Sequence, residues 1–285
     1  MHPYRHFVQQ HVSLLGLGAH LPLGGLDPLP RPVLTPDAPK VLIFSPHPDD
    51  ECIVGLLALR LLRESGHRVI NVAVTQGSNP ARQAARLAEL QNACAFLGFE
   101  LRQTAPKGLE RVNPAARQSD PAGWAAKVRV ITDLLAAERP RVILFPHDQD
   151  WNSTHVGVHW LVNDALRALG PAFECFTVET EYWGQCDDPN AAVEARPEDL
   201  ADLVAACSFH VGEVRRNPYH LWLPAWMMDN VRRGGELVGG QGGAAPTFAF
   251  ATLYRVRRWR AGQFEHFYAG GRMLPADQPA GALFD

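Results

Sequence analysis

Between residues 40 and 180, short apolar runs alternate with longer stretches rich in leucine and alanine, and this alternation most constrains the fold of the chain. The runs at residues 41–44 and 142–145 are continuously apolar, which is typical of strands buried on both faces of a sheet. The longer stretches have the length of helices, and several of them end at a glycine. The pattern predicts an α/β fold in which a parallel sheet is covered by helices on both faces.

The expected elements can be placed along the chain. We expect strands at residues 41–44, 69–74, 99–103, 142–145 and 173–180, and helices at residues 53–62, 81–97, 124–137 and 156–169. The last third is less regular, with expected helices at residues 197–206 and between residues 221 and 233. Two expected strands, at residues 247–254 and 264–268, flank Ala261-Gly262-Gln263 and indicate a C-terminal β-hairpin.

The alternation of expected strands and helices begins near residue 40, and this predicts the domain organisation. Residues 1–39 are expected to form an N-terminal extension, because six prolines between residues 22 and 39 disfavour regular structure. Residues 40–285 are expected to form one domain, since no second boundary and no internal repeat are visible.

Composition excludes several classes of protein. The formal net charge is −3, which argues against a nucleic-acid-binding protein, and the basic cluster at residues 255–260 alternates as a half-exposed strand does. The five cysteines are widely spaced without a C-x-x-C pair, so neither a disulfide framework nor a cysteine zinc site is expected. No segment approaches the roughly 18 apolar residues of a membrane span. We expect a soluble, cytoplasmic protein.

The first segment that carries chemistry is residues 46–51, directly after the first expected strand. It holds His47 and the carboxylates Asp49, Asp50 and Glu51, whose mutual repulsion a divalent cation would offset. Imidazole and carboxylate are ordinary zinc ligands, and the spacing of His47 and Asp50 can direct both to one point. Asp49 would then lie beside the metal, placed to accept a proton from a water molecule. A capped acidic helix N-terminus would explain only one of the three carboxylates.

The second segment is residues 146–159, after the fourth expected strand. Ligands bind at the carboxyl ends of strands in such sheets, so both segments should face the same site. His155 stands where a helix should begin, and His159 lies one turn further on the same face. His147 and His159 are either ligands or ordinary core and surface residues; the pattern does not decide between these readings.

Together the two segments resemble the PIG-L/LmbE-like family of zinc-dependent de-N-acetylases. Residues 45–51 match the family's first motif, a strand followed by (P/A)-H-P-D-D-E. A Thr-x-Gly turn follows at residues 75–77 and an Arg-x-x-Glu helix at residues 86–89. The second motif, H-P-D-H in the family, reads N-S-T-H at residues 152–155. The resemblance covers roughly residues 40–169.

The resemblance implies a role for each matched residue. His47, Asp50 and His155 would bind the metal, Asp49 would be the general base, and Glu51 would support the turn. It also implies a Rossmann-like three-layer α/β/α sandwich. The implied activity is removal of an N-acetyl group from an N-acetylglucosamine-type sugar conjugate, with Zn²⁺ or Fe²⁺ as cofactor.

The second motif departs from the family at two positions. Asn152 replaces a histidine that helps to stabilise the oxyanion or protonate the leaving amine, and Thr154 replaces the aspartate that orients it. Asn152 can donate a hydrogen bond to an oxyanion but cannot deliver a proton. The proton would have to come from Asp49, His147 or His210.

Other functions and partners can be weighed against this reading. A metal-binding member of the family with lost or altered catalysis is the main alternative. A nucleotide-binding oxidoreductase is disfavoured because the Gly-x-Gly at residues 16–18 follows no strand and is not completed by a third glycine in register. A serine hydrolase is disfavoured because no G-x-S-x-G occurs. The expected binding partner is a small N-acetylated sugar substrate, and no nucleic acid is expected to bind. The sequence does not decide whether the protein forms a homo-oligomer. Trp151, Trp183 and Trp222 would either stack on a sugar or belong to the core.

Overall fold

One sheet organises the computed structural model, which describes residues 2–285. Among these residues, nine strands pair in the order β3-β2-β1-β4-β5-β7-β6-β9, and β8 pairs with β7 outside this path. The strands are β1 Lys40–Ser45, β2 Arg68–Ala73, β3 Glu100–Gln103, β4 Val142–Pro146, β5 Cys175–Thr180, β6 Ala191–Ala195, β7 Phe250–Arg260, β8 Gln263–His266 and β9 Arg272–Leu274. Strands β1 to β5 are parallel, and β7 runs antiparallel to β5, β6 and β8. The prediction of a mostly parallel sheet is confirmed.

Helices cover the sheet and connect its strands. They are α1 Tyr4–Gly18, α2 Asp50–Ile53, α3 Leu56–Ser65, α4 Pro80–Leu97, α5 Pro114–Ser119, α6 Pro121–Glu138, α7 Ser153–Leu169, α8 Pro197–Ser208, α9 Val211–Val214 and α10 Leu223–Leu237. Two 3-10 helices, Tyr219–Leu221 and Ala280–Phe284, complete the regular structure of the described residues.

Strand β1 shows how the core divides into two layers. Its side chains alternate, so that Val41 and Ile43 join the cluster formed with α3, α4, α8 and α10. Leu42 and Phe44 join a second cluster, formed mainly with α6 and α7. All four side chains are fully buried, which explains why β1 is a continuous apolar run. The three-layer α/β/α arrangement follows from this burial on both faces.

The strand order places two loops side by side. β1 pairs with β2 on one side and with β4 on the other, so the sheet grows outward in both directions from β1 and β4. The loops that leave the carboxyl ends of these two strands therefore border the same crevice, the usual ligand position in such sheets. They are the two segments in which the sequence predicts a site.

Most expected elements are present, and the differences have local causes. The helix expected at residues 53–62 corresponds mainly to α3, whereas Ile53 ends α2, because the helical structure is interrupted at Val54 and Gly55. A Cβ at Gly55 would lie 2.2 Å from the backbone oxygen of Glu51, so glycine permits this close approach. The expected C-terminal hairpin is confirmed by the pairing of β7 with β8. Strands β6 and β9 were not expected, because each is short and neither shows a β-branched or aromatic run.

The N-terminal extension also differs from expectation. Its first part forms α1, whereas irregular structure was expected throughout residues 1–39. The helix is compatible with the sequence because the six prolines begin at residue 22, beyond its end. None of the side chains of α1 is buried, and Phe7 and Leu17 are each more than half exposed. Among residues 2–285, no helix combines the length and apolarity that crossing a membrane requires.

Candidate active site

The loop between β1 and α2 is held by its own carboxylates. Asp50 Oδ2 accepts a hydrogen bond of 2.8 Å from the backbone N–H of His47. Glu51 Oε2 accepts one of 2.9 Å from the backbone N–H of Asp49. Asp49 has a φ of 123°, a conformation that a non-glycine residue adopts only at an energetic cost. The neighbouring carboxylates thus hold a strained residue in a fixed position.

A buried pair anchors this loop to the distant part of the chain. His210 Nε2 donates a hydrogen bond of 2.7 Å to Glu51 Oε1, and neither side chain is exposed. The Cys52 thiol donates a second hydrogen bond of 3.0 Å to the same oxygen. Burial tends to lower the pKa of His210, but the charge of Glu51 and their hydrogen bond raise it above its usual value. Glu51 therefore ties the loop to the end of α8.

The loop between β4 and α7 is built differently. Asn152 caps α7, its Oδ1 accepting the backbone N–H of Thr154 at 2.9 Å. Asp150 Oδ1 accepts the backbone N–H of Asn152 at 2.8 Å, and its Oδ2 lies 3.2 Å from His155 Nδ1. One carboxylate thus shapes the loop and orients the imidazole at the start of the helix.

Three predicted ligands meet where the two loops adjoin. His47 Nδ1 and His155 Nε2 each lie 3.6 Å from Asp50 Oδ2, and the ligand atoms of the three residues lie within 4.8 Å of one another. Ligand atoms of a tetrahedral zinc ion are about 3.4 Å apart, given metal–ligand distances of about 2.0–2.2 Å. His155 Nε2 is buried and has no hydrogen-bond partner among residues 2–285. This donor set fits a divalent cation.

The electrostatics of the cluster differ from residue to residue. Burial and the neighbouring charge of Asp50 raise the pKa of Asp49 to about 7, although His210, Arg86 and a hydrogen bond from Tyr219 oppose the shift. Burial tends to raise the pKa of Asp50 as well, but the charge of His155 and hydrogen bonds from His47 lower it. The two adjacent carboxyl groups are therefore distinguished by their surroundings.

The other candidate histidines lie outside this cluster. His147 is fully buried; its Nδ1 accepts the backbone N–H of Gln149 at 3.1 Å, and its Nε2 donates to the backbone oxygen of Gly184 at 2.9 Å. His159 is also buried, and its Nδ1 donates to the backbone oxygen of Pro146 at 3.0 Å. Neither residue belongs to the ligand cluster; backbone groups bond to both ring nitrogens of His147 and to Nδ1 of His159.

Two residues at the site were not anticipated. Asp150 orients His155, and its position five residues earlier in the second segment was the available signal. The Tyr219 hydroxyl donates a hydrogen bond of 2.7 Å to Asp49 Oδ2, although 170 residues separate the two in the chain. Tyr219 lies in a 3-10 helix of only three residues, which is too short to show a pattern in the sequence.

A cavity of about 370 Å³ opens over the cluster, within the range of ~300–1,000 Å³ typical of small-ligand sites. His47, Asp49 and Asn152 line it at the metal-ligand end. Trp151 and Trp183 line its wall, whereas Trp222 is not among the lining residues. The cavity is thus bordered by His47 of the metal-ligand cluster, by the general-base candidate Asp49 and by two indole rings.

A family comparison agrees with this geometry. Residues 42–166 match the model of the PIG-L family, described as GlcNAc-PI de-N-acetylase. This segment belongs to the PIG-L family. It contains both loops of the site, and the resemblance expected from the sequence is confirmed. Comparison with curated protein sequences gives no significant match.

Solved structures share the fold of this chain at low sequence identity. N,N'-diacetylchitobiose deacetylase from Pyrococcus horikoshii is 18% identical, with a TM-score of 0.56, and the match covers 79% of this chain and 85% of that chain. The zinc-inhibited form of teicoplanin deacetylase is 16% identical, with a TM-score of 0.52 and coverage of 77% and 98%. The 4-carboxy-2-hydroxymuconate hydratase GalB from Pseudomonas putida is 16% identical, with a TM-score of 0.55 and coverage of 76% and 95%. These likenesses establish the shared fold.

Proposed function

We propose that the chain is a zinc-dependent hydrolase that removes the acetyl group from the nitrogen of an N-acetylglucosamine-type sugar conjugate. The family of residues 42–166 is a de-N-acetylase family, and two similar folds belong to N,N'-diacetylchitobiose deacetylase and teicoplanin deacetylase. The observation that carries the proposal is the approach of His47, Asp50 and His155 to one another, with His47 and Asp49 lining the same cavity.

The first element of the proposal is the metal site. His47, Asp50 and His155 would hold the ion, and Asp150 would keep the imidazole of His155 in its ligating orientation. A divalent ion held there supplies a Lewis acid that polarises an amide carbonyl and makes a water molecule more acidic. Zn²⁺ is the ion we propose, and Fe²⁺ suits the same two imidazoles and one carboxylate. Zinc inhibits one similar protein, so metal analysis has to distinguish the two ions.

The second element is proton transfer by Asp49. Its carboxyl group lies beside the metal ligands, lines the cavity and is held by the Tyr219 hydroxyl. From this position it accepts a proton from the attacking water and then delivers it to the leaving nitrogen. This route needs no other acid, which suits a chain that has Asn152 in place of the family's histidine.

The third element is stabilisation of the oxyanion by Asn152. Its Oδ1 is engaged by the backbone N–H of Thr154, so its Nδ2 group is the part that can donate to a substrate oxygen. His147 has no place in this mechanism, because both of its ring nitrogens are bonded to backbone groups.

An altered reaction at the same metal site is the second candidate. Asn152 and Thr154 depart from the family's second motif, and one protein of the same fold is a hydratase. The metal site and Asp49 would serve the addition of water to a double bond as well as the hydrolysis of an amide.

Acetate release from N-acetylated sugars, measured on the metal-loaded protein, separates the two candidates. We expect Asp49→Asn to keep its metal and to lower turnover by about 10²–10⁴-fold, the usual contribution of a general base. Asp148→Asn is the matched control, since Asp148 pairs with Arg255 and does not line the cavity. Undiminished turnover of Asp49→Asn would remove Asp49 from the base role. A fully metal-loaded protein that releases no acetate from any N-acetylated sugar would favour the second candidate.

A further inference from the structure

Three guanidinium groups converge on one carboxylate in the cavity wall. Arg216 Nη2 donates a hydrogen bond of 2.6 Å to Glu213 Oε2, and Arg82 Nη2 donates one to Glu213 Oε1. Arg86 Nε lies 3.5 Å from the same Oε1. Glu213 is buried, and all four side chains line the cavity that Asp49 also lines. This arginine cluster belongs to the same cavity as the proposed metal site.

The cluster has an excess of positive charge. Burial tends to raise the pKa of Glu213, but the hydrogen bond from Arg216 and the charges of Arg86 and Arg82 lower it, so Glu213 is ionised at neutral pH. One carboxylate then faces three guanidinium groups, and among residues 2–285 only Asp49 adds another acidic side chain to the cavity lining. An anion bound at this end would offset the repulsion between the arginines.

The arginines also have hydrogen-bond donors to spare. A guanidinium has five N–H groups, and Arg82 and Arg216 each use one on Glu213. Arg86 Nη2 donates to the backbone oxygen of Pro48 at 3.0 Å, and its buried Nε has no hydrogen-bond partner among residues 2–285. Arg82 and Arg86 lie in the first two turns of helix α4, whose cap Asn79 lines the cavity, and the positive end of the helix dipole adds to the attraction for an anion.

We propose that Arg82, Arg86 and Arg216 bind an anionic substituent, a phosphate or a carboxylate, of the N-acetylated sugar. The proposal deepens the proposed function, on which it rests for the identity of the rest of the substrate. The anion lies at the arginine end of the cavity and the amide at the metal-ligand end, with the sugar ring beside Trp151 and Trp183. Bidentate recognition of oxyanions is the chemistry to which guanidinium groups are suited.

Binding of inorganic phosphate tests the anion site without requiring turnover. Titration calorimetry at about 0.15 M salt compares the metal-loaded protein with Arg82→Gln, Arg216→Gln and Arg215→Gln. Arg215 is an exposed neighbour that does not line the cavity, so Arg215→Gln changes the net charge equally and serves as the matched control. We expect each cavity variant to weaken phosphate binding about tenfold or more, with the control unchanged. Binding weakened equally by Arg215→Gln, or left intact in both cavity variants, would overturn the proposal.

Substrate selectivity provides the second arm. N-acetylglucosamine is compared with its 6-phosphate, its 1-phosphate and N-acetylmuramic acid, which separates phosphate from carboxylate as the preferred anion. We expect kcat/KM to favour at least one anionic compound, and this preference to fall about tenfold in Arg216→Gln and in Arg82→Gln. Preference for the neutral sugar would count against the proposal. If no compound releases acetate, the proposed hydrolase function fails, while the phosphate titration still decides whether the arginine cluster binds anions.

Discussion

The loop after β1 and the loop after β4 deliver side chains to the same cavity, but they are stabilised in different ways. In the first loop, Asp50 and Glu51 accept backbone N–H groups two or three residues before them. In the second, the metal-ligand candidate His155 depends on Asp150 for its orientation, while His147 is directed away, toward the backbone of another segment.

The two loops therefore differ in how reliably their site residues can be recognised from sequence. Every polar side chain of the first loop serves the site or its immediate support, so the motif is compact and specific. The second loop mixes a candidate ligand with residues that cap a helix or fill the core. A histidine there is therefore weak support for a role in the site until its hydrogen-bond partners are known.

The largest expected effect distinguishes the two histidines of the second loop. His155→Ala should lose its bound metal and lower turnover by more than about 10³-fold, because two ligands remain where a catalytic zinc site uses three. His147→Ala should keep its metal and lower the free energy of unfolding by about 1–3 kcal/mol, because buried backbone groups lose a partner. Metal analysis, acetate release and denaturant unfolding measure these effects. Equal metal loss in both variants would contradict the distinction.

The next effect tests the anchor of the first loop. Glu51→Ala should lower the free energy of unfolding by about 3–5 kcal/mol, since it leaves His210 buried without its partner. Glu110→Ala, at an exposed position, is the control. A loss below 1 kcal/mol in denaturant unfolding would show that the pair contributes no more than a surface ion pair.

The same pair predicts a pH dependence. The pKa of His210 is higher in the folded protein than in the unfolded chain. The pairing with Glu51 therefore stabilises the folded protein fully below about pH 6.5, the pKa of an unfolded histidine. This stabilisation is lost as the pH rises through the higher pKa of the folded state. Unfolding measured between pH 5 and pH 9 should show the decline in the wild-type protein and a weaker decline in Glu51→Ala. Identical profiles would argue against the pair as its source.

Asn152 allows the capping and catalytic roles of the second loop to be separated. Asn152→Asp keeps a good helix cap but removes the N–H donor, so turnover should fall by about 10²–10³-fold while stability changes by less than about 0.5 kcal/mol. Asn152→Ala should show a similar loss of turnover together with about 1 kcal/mol of destabilisation. Turnover unchanged in the alanine variant would leave Asn152 as a cap alone.

The smallest effect concerns support of the ligand. Asp150→Asn should weaken metal binding by about 10–100-fold, because it lowers the basicity of His155 and loosens its orientation. Competition with a chelator measures the affinity, and Asp148→Asn on the same loop is the control. Unchanged affinity would indicate that the helix alone positions His155.

The sequence by itself determined the parallel sheet and its helices, because the burial of β1 and β4 on both faces demands continuous apolar runs. It also determined the first loop, whose polar side chains interact within five residues of one another. Strands β6 and β9 were not predicted, because their pairing partners lie far along the chain and their own residues show no strand pattern.

Only the tertiary structure decided which distant residues complete the site. In the folded chain Tyr219 contacts Asp49, His210 contacts Glu51, and the arginine cluster lines the cavity. His147, by contrast, is buried away from the metal-ligand cluster. Such contacts depend on how helices pack across the sheet, and packing depends on side chains from many segments at once. A short pattern records the interactions within a loop, but it does not record which other loop folds against it.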